Sequence, residues 1–130
     1  MNTKSNYIVL IASALLLILA GCVANPLLNI ENAPIQISAK HNSTDIKKAI
    51  MRAGAGLGWI IKEKKPGHLV GSIFLRKHSA TVDIKYTNKA YSITYKDSEN
   101  LNYDGTNIHK NYNGWVRNLN SRIQAELSML

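Results

Sequence analysis

The chain has 130 residues, carries 16 Lys and Arg against 8 Asp and Glu for a formal net charge of +8, and contains one cysteine. The length suits one small domain, and the sequence shows no internal repeat, no low-complexity tract and no second domain. A basic protein attracts nucleic acid, anionic lipid headgroups, lipopolysaccharide or acidic wall polymers. Lysines that only keep a small domain soluble are the alternative.

The first 21 residues have the layout of a signal peptide. The segment MNTKSNY carries one positive charge, on Lys4, and an apolar run from Ile8 to Ala20 follows it. That run of about 13 residues falls within the roughly 7 to 15 of a signal-peptide core and is shorter than the roughly 20 that span a bilayer. It therefore indicates an export signal, residues 1–21.

The run ends in Leu19-Ala20-Gly21-Cys22, small residues followed by the cysteine. This motif resembles the lipobox of bacterial lipoproteins. The resemblance implies that a diacylglyceryl group joins the Cys22 sulfur, that a peptidase cleaves between Gly21 and Cys22, and that two or three acyl chains then anchor the protein. A cysteine at the end of a transmembrane helix is the alternative. Acylation also accounts for an unpaired cysteine in an exported protein.

The residue after the cysteine bears on the membrane that the lipid would enter. In Gram-negative lipoproteins an aspartate there commonly retains the protein at the inner membrane, and here the residue is Val23. The resemblance thus favours the periplasmic face of the outer membrane. Cleavage removes only Lys4 among the charges, which takes the formal net charge from +8 to +7. Export argues against nucleic acid as a partner and favours an envelope protein or an anionic envelope polymer.

The mature chain is interpreted as a tether followed by one domain. Residues 22–33 are the lipidated N-terminus and tether, and residues 34–130 are a single α+β domain. Ile35 and Ile37 alternate with polar residues and predict a short strand.

A helix is expected next. Asn42 or Ser43 can cap it, and Asp45 lies in the first turn, where the helix dipole favours an acid. Its apolar face is formed by residues at spacings of three and four: Ile46, Ala49, Ile50, Ala53 and Leu57. The glycines that follow come after a helix, whereas a phosphate-binding loop opens one. They are interpreted as a helix end and tight turn.

From Trp59 to Lys96 apolar residues alternate with polar ones, as in a half-buried sheet. Short turns at Lys65-Pro66-Gly67 and Asn88-Lys89 predict an antiparallel meander. A C-terminal helix then has an apolar stripe at Ile108, Tyr112, Trp115, Leu119, Ile123 and Leu127. These elements predict an α+β fold: an antiparallel meander of four to five strands with two helices packed on one face, a two-layer sandwich.

The stretch between Tyr95 and Trp115 concentrates aromatic, amide, histidine and serine side chains around a loop and a helix start. Six of them are interpreted as a possible ligand-binding site: Ser98, Asn100, Tyr103, His109, Tyr112 and Asn113. One helical turn separates His109 from Asn113, so both share a side that suits an anionic or carbohydrate-like ligand. Alternatively, the polar residues serve as turn and capping groups and the aromatic residues as core.

This portion resembles small Gram-negative lipoproteins of uncharacterised function. They share a tyrosine-rich final strand, an S-x-N-L-x-Y loop and an I-H-x-x-Y-N-x-W helix start. In this chain those motifs are Ser98, Asn100, Leu101, Tyr103, Ile108, His109, Tyr112, Asn113 and Trp115. The resemblance extends from about Ala49 to Ile123, and it implies a lipoprotein with an α+β domain but no particular activity.

Catalysis and metal binding find little support. Ser98, His109 and Asp97 or Asp104 are the residue types of a serine hydrolase, but they lie close together in sequence and no nucleophile-elbow motif is present. No metal and no cofactor are expected, because the histidines lack a paired ligand spacing and Cys22 is taken by lipid. The four histidines are interpreted as isolated and exposed: His41, His68, His78 and His109.

A second candidate surface is basic. Lys62, Lys64, Arg76, Lys85 and Lys96 all fall in predicted strands, and several share the outward parity. Such a face could bind phosphates or acidic polymers, although it is equally an ordinary solvated face. Phe74 and Val70 share this parity, which indicates either a patch that contacts a partner or a misread register.

The sequence favours a non-enzymatic envelope lipoprotein whose α+β domain is a binding or assembly module. A binder of lipopolysaccharide, peptidoglycan or anionic lipid through the basic sheet face is the second hypothesis. A small hydrolase that uses His109 is the third.

Overall fold

The computed structural model describes residues 25–130. Four predicted features lie outside them: the signal peptide, the cleavage after Gly21, the lipidation of Cys22 and the sorting role of Val23. Within residues 25–130 there are five strands and two helices: β1 Ile30–Pro34, α1 Ser43–Gly56, β2 Ile60–Lys65, β3 His68–Leu75, β4 His78–Tyr86, β5 Ala90–Glu99 and α2 Lys110–Leu127.

The strands form one open antiparallel sheet in the order β1-β5-β4-β3-β2. Strands β2 to β5 are the predicted meander, and β1 adds to its far edge beside β5. Both helices pack on one face, so the opposite face, here called the outer face, carries no helix of the described part of the chain. The predicted α+β architecture is confirmed.

The core lies between the helices and the inner face of the sheet, and it follows the predicted periods. In β4, Ala80, Val82, Ile84 and Tyr86 are all buried, while the residues between them are not. The predicted face of α1 is buried from Ile46 to Ala53, and that of α2 at Tyr112, Leu119, Ile123 and Leu127. On α2 the stripe also takes in Val116, and Trp115 is only partly buried.

The first strand was predicted at the wrong place. It covers Ile30–Pro34 rather than Ile35 and Ile37, and its register pairs Ile30 with Ile93 and Pro34 with Ala90. Ile35 still enters the core, and its N–H donates to the carbonyl of Lys89 at 2.8 Å. The alternation at Ile35 and Ile37 gave the wrong position, because the residues of an edge strand with a register shift need not alternate between apolar and polar. Residues 30–33 of the predicted tether therefore belong to the sheet.

Helix α1 begins and ends as expected. The Asn42 side chain accepts from the N–H groups of Thr44 and Asp45, and the Asp45 carboxylate accepts from the N–H of Asn42 at 3.0 Å. This reciprocal pair is a capping box. Gly54 lies where α1 crosses β2, so a Cβ there would collide with Ile61, and Gly58 (φ 84°) makes the turn into the strand. The glycines are thus packing and turn residues.

Strand β5 contains a bulge that matters for the site. Thr81 pairs with Asp97 and Val82 with Tyr95, so Lys96 is the extra residue. The bulge reverses the alternation of the strand, and both Tyr95 and Ser98 therefore point toward the helices.

Candidate functional site

The six residues of the predicted ligand site lie at one end of the molecule, around residues 100–109, here called the β5–α2 loop. Ser98 comes at the end of β5, and its hydroxyl lies 2.8 Å from the hydroxyl of Tyr95. This contact depends on the β5 bulge, because strict alternation would place the two side chains on opposite faces.

Three tyrosines form an aromatic cluster beneath the loop. The ring of Tyr95 lies 4.2 Å from that of Tyr103 and meets that of Tyr112 edge-on at 5.6 Å. Tyr112 is fully buried, and its hydroxyl has no hydrogen-bond partner within residues 25–130. Burial raises the pKa of Tyr112 far above its ordinary value. Because Tyr112 is fully buried, its phenol is a core group that a ligand does not reach.

Asn113 binds the chain itself. Its amide nitrogen donates to the carbonyl of Pro26 at 2.8 Å, and its amide oxygen accepts from the N–H of Leu28 at 2.9 Å. Both halves of the amide are thus used on residues 25–28, here called the N-terminal segment. The side chain pairs with two backbone groups, as a neighbouring β-strand would, and holds this segment against the start of α2.

The β5–α2 loop holds the same segment from its other side. The N–H of Leu27 donates to Thr106 and that of Ile108 to Asn25, each at 2.9 Å, and Pro26 forms a bridge with Asn107. Together with Asn113, these bonds make residues 25–28 part of the fold, which corrects the prediction of a tether up to residue 33. A ligand at Asn113 would have to displace them.

His109 is the N-cap of α2. Its Nδ1 accepts from the N–H of Asn111 at 3.1 Å, so the neutral ring carries its proton on Nε2. The ring stacks with that of His78 at 6.3 Å. His78 has the opposite tautomer, because its Nδ1 lies 2.7 Å from the carbonyl of Asn100 and must donate to it. Neither histidine is isolated, contrary to the prediction.

Asn100 and Asp104 shape the loop. Asn100 takes the left-handed conformation (φ 56°), and its amide donates to the carbonyl of Lys77 at 2.5 Å. The Asp104 carboxylate accepts from the N–H groups of Asn107 and Thr106, which lower its pKa. Both residues thus perform the turn roles that were the alternative to a ligand site.

The residues of the hydrolase hypothesis are engaged separately. The Ser98 hydroxyl contacts Tyr95, the His109 Nδ1 caps a helix and the Asp104 carboxylate closes a turn. Asp97 accepts from the N–H of Ser98 at 2.8 Å. The structure therefore does not join these groups into a nucleophile, base and acid.

The basic residues lie in strands of the sheet, with one exception. Lys62 and Lys85 project outward, because they pair with Val70 and His68 across the sheet. Lys64 and Lys96 are the extra residues at register shifts in β2 and β5, where alternation does not hold, and both are exposed. Arg76 does not lie in a strand: β3 ends at Leu75, and Arg76 occupies the β3–β4 turn with φ 58°. The sequence placed Arg76 in a strand because the apolar residues of β3 continue to Leu75, the last residue before the turn.

The outer face also carries a strong polar pair that the sequence reading missed. His68 Nε2 lies 2.6 Å from Asp83 Oδ1, and the Nζ of Lys96 lies 4.0 Å from the same oxygen. His68 is only 9% exposed, so its interpretation as an isolated exposed histidine was wrong. Residues 68 and 83 share the outward parity, but only the β3–β4 register reveals that they are neighbours.

Apolar side chains accompany these charges. Ile60, Val70 and Phe74 line a small cleft of about 220 Å³ together with Lys62 and Ser72. The register pairs Val70 with Asp83 and Phe74 with Ser79, which places both apolar residues on the outer face. The sequence therefore assigned Val70 and Phe74 to the correct face of the sheet. Phe74 is 69% exposed.

Within residues 25–130 no group of three or more His, Cys, Asp or Glu residues could hold a metal ion. No helix of that part of the chain is long and apolar enough to cross a membrane.

No family model, curated protein or solved structure matches the chain. Function is therefore inferred from the residues and their geometry.

Proposed function

We propose that this protein is a lipid-anchored, non-enzymatic binding or assembly module of the bacterial envelope, held through Cys22 on the periplasmic face of the outer membrane. The observation that carries the binding role is the outer face of the sheet. No helix within residues 25–130 covers this face, and it displays apolar and cationic side chains together. The lipobox motif and Val23 support the anchor and its location.

The predicted loop site is less suitable for a ligand than this face. Asn113 and the β5–α2 loop bind the N-terminal segment, and Tyr112 is buried, so the side chains of Asn113 and Tyr112 are not available to a ligand. By contrast, Lys62 and Lys85 on the outer face, and Lys64 beside them in β2, are exposed and form no ion pair within residues 25–130. The face that offers free cations is thus the better binding surface.

The anchor is tested by replacing Cys22 with serine in the full chain. Wild type should lose residues 1–21 and gain the mass of its acyl chains, whereas Cys22→Ser should keep residues 1–21 and gain no acyl mass. A Cys22→Ser protein that is processed and gains mass like wild type would refute the anchor.

A second candidate function is the binding of an anionic envelope component, lipopolysaccharide or peptidoglycan, through the same face. The three exposed lysines favour it. Retention on immobilised lipopolysaccharide should fall as the salt concentration rises from about 0.05 M to about 0.5 M, because the Debye length shrinks from more than about 10 Å toward about 3 Å.

Two variants that lose the same charge distinguish binding through this face from binding through the net positive charge of the protein. The triple variant Lys62→Gln, Lys64→Gln, Lys85→Gln should lose most of the retention. The triple variant Lys40→Gln, Lys48→Gln, Lys110→Gln removes the same charge outside the sheet and should retain most of it. Equal loss in the two variants, or binding that ignores salt, would contradict the second candidate.

A further inference from the structure

The N-terminal segment, the β5–α2 loop and the β3–β4 turn lie together at one end of the molecule. Ile108 donates its N–H to the carbonyl of Asn25, and the adjacent His109 ring stacks with His78 at 6.3 Å. His78 directly follows the β3–β4 turn, and Asn100 donates to the carbonyl of Lys77 within it. A continuous set of contacts thus links Asn25 to this turn.

The lipid site of the proposed function is close to this end by covalent geometry alone. Three residue steps separate Cys22 from Asn25, and they span at most about 11 Å in any conformation. Asn113 holds the chain again at Pro26 and Leu28, immediately after Asn25. A lipid on Cys22 would therefore keep this end of the domain near the membrane surface.

The side chains displayed there suit a membrane interface. Six large apolar side chains are exposed within residues 25–130, and Phe74 (69%), Leu75 (49%) and Tyr103 (39%) belong to this end, with Ile60 beside Phe74. The other two, Met51 and Met129, lie elsewhere. Arg76 and Lys77 follow Leu75 directly and are exposed.

Such a combination matches the chemistry of the lipid surface. Apolar side chains enter the boundary between headgroups and acyl chains, tyrosine lies at the level of the headgroups, and Arg and Lys attract anionic lipid. The turn is also narrow, because two residues connect β3 and β4. It can enter the headgroup layer without exposing further backbone of the sheet.

We propose that the segment Phe74-Leu75-Arg76-Lys77, here called the hairpin tip, is a second membrane contact that inserts into an anionic phospholipid surface. This inference rests on the proposed acylation of Cys22. Lipid and hairpin tip together fix the orientation of the domain: the strands run away from the bilayer, and Lys64 and Lys85, at the other end of the sheet, point toward the envelope space.

The test uses the full chain, processed by its host and reconstituted in vesicles of phosphatidylethanolamine and phosphatidylglycerol. Acylation occupies the sulfur of Cys22, the one cysteine of the chain, so an added cysteine is the only reactive thiol. Leu75→Cys places a fluorophore in the hairpin tip and leaves Phe74 intact. Lys89→Cys places it in the β4–β5 turn at the opposite end.

The label at position 75 should shift to the blue and be quenched several-fold more by brominated lipid than by aqueous iodide. The label at position 89 should show the reverse order. Arg76→Glu with Lys77→Glu should weaken lipid quenching at position 75, while Lys40→Glu with Lys48→Glu, outside the sheet, should not. Equal quenching at positions 75 and 89 would overturn the proposal.

Two further outcomes distinguish a failure of the proposed anchor from a failure of the proposed lipid contact. A wild-type chain whose Cys22 thiol reacts with the label is not acylated, and that result refutes the proposed anchor. An acylated chain whose position 75 is exposed to water in vesicles but protected in native membranes is covered by a protein there, and that result refutes the lipid contact alone.

Discussion

At the residue scale, individual side chains have roles that their type did not reveal. Asn113 and Tyr112 are neighbours on α2 and were predicted to share a ligand site. Asn113 binds two backbone groups of the N-terminal segment, whereas the hydroxyl of Tyr112 is buried without a partner in the described chain. Their substitutions should therefore have opposite effects on stability.

Replacing Asn113 by alanine should lower the free energy of unfolding by about 1 to 3 kcal/mol, because the Pro26 carbonyl and the Leu28 N–H lose their partner in a half-buried place. Denaturant titration measures the loss, and hydrogen exchange should accelerate at the Leu28 amide. Asn111→Ala is the control: its side chain is exposed and its backbone N–H still reaches His109, so a change within about 0.5 kcal/mol is expected. Unchanged exchange at Leu28 would contradict the role of Asn113.

Replacing Tyr112 by phenylalanine should leave stability unchanged or raise it by about 1 kcal/mol, because it removes a buried hydroxyl that forms no hydrogen bond with residues 25–130. Tyr91→Phe is the matched control. The Tyr91 hydroxyl donates to Asn120 at 2.6 Å and accepts from Gln124 at 2.8 Å, so its loss should cost about 1 to 2 kcal/mol. Equal destabilisation of both variants in urea would show that Tyr112 has a partner after all.

At the scale of elements, the N-terminal cap of α1 is the feature that the sequence predicted most completely. Asn42, Asp45 and the apolar spacing are local signals, and the structure places all of them as expected. The N–H of Asn42 has the largest effect and lowers the pKa of Asp45. Desolvation opposes it and raises the pKa, and the neighbouring His41 lowers the pKa further. The helix start should therefore respond both to mutation and to acid.

Replacing Asn42 by alanine should cost about 1 kcal/mol at neutral pH, because two N–H groups of the first turn lose their acceptor. Ser43→Ala, one residue later and outside the cap, should have little effect. Thermal unfolding followed by circular dichroism compares the two variants. Similar melting temperatures for both would argue against the capping box.

The acid response of this element has a defined sign. Because the pKa of Asp45 is lower in the folded state than the ordinary 3.8, its contribution is present above that value and is lost as pH falls through the lower folded value. Asp45→Asn should therefore flatten the dependence of the melting temperature on pH below about 4. The lowered pKa of Asp104 should leave part of the dependence in place. A variant with the full wild-type slope would contradict the prediction.

At the scale of the whole molecule, the domain begins earlier than the sequence indicates. A boundary at residue 34 would remove β1 and the N-terminal segment, and with them the pairing of Ile30 with Ile93 and the bonds to Asn113. Strand β5 would then become an unprotected edge of the sheet. The first residues of the fold thus protect its last strand.

A fragment of residues 34–130 should melt at a lower temperature than one of residues 25–130 and should self-associate as its concentration rises. Calorimetry and size-exclusion chromatography measure the two effects. Two fragments that melt alike and both remain monomeric would show that the N-terminal segment is dispensable.

Local patterns in the sequence were sufficient for the fold class. Alternation in β2 to β5, the three- and four-residue spacing in both helices, and the turns at Pro66-Gly67 and Asn88-Lys89 act over a few residues, so the sequence alone specifies them. The export signal and lipobox are likewise contiguous motifs, and they remain a prediction that chemistry on Cys22 must test.

The tertiary structure alone decided which distant residues meet. Asn113 lies 85 positions from Leu28, and the pairing of His68 with Asp83 depends on the β3–β4 register. The bulge at Lys96 turns Ser98 inward, and the edge strand β1 follows no clear alternation. Register, bulges and edge pairing are set by contacts between distant segments, and a periodic pattern within one segment contains no information about its partner.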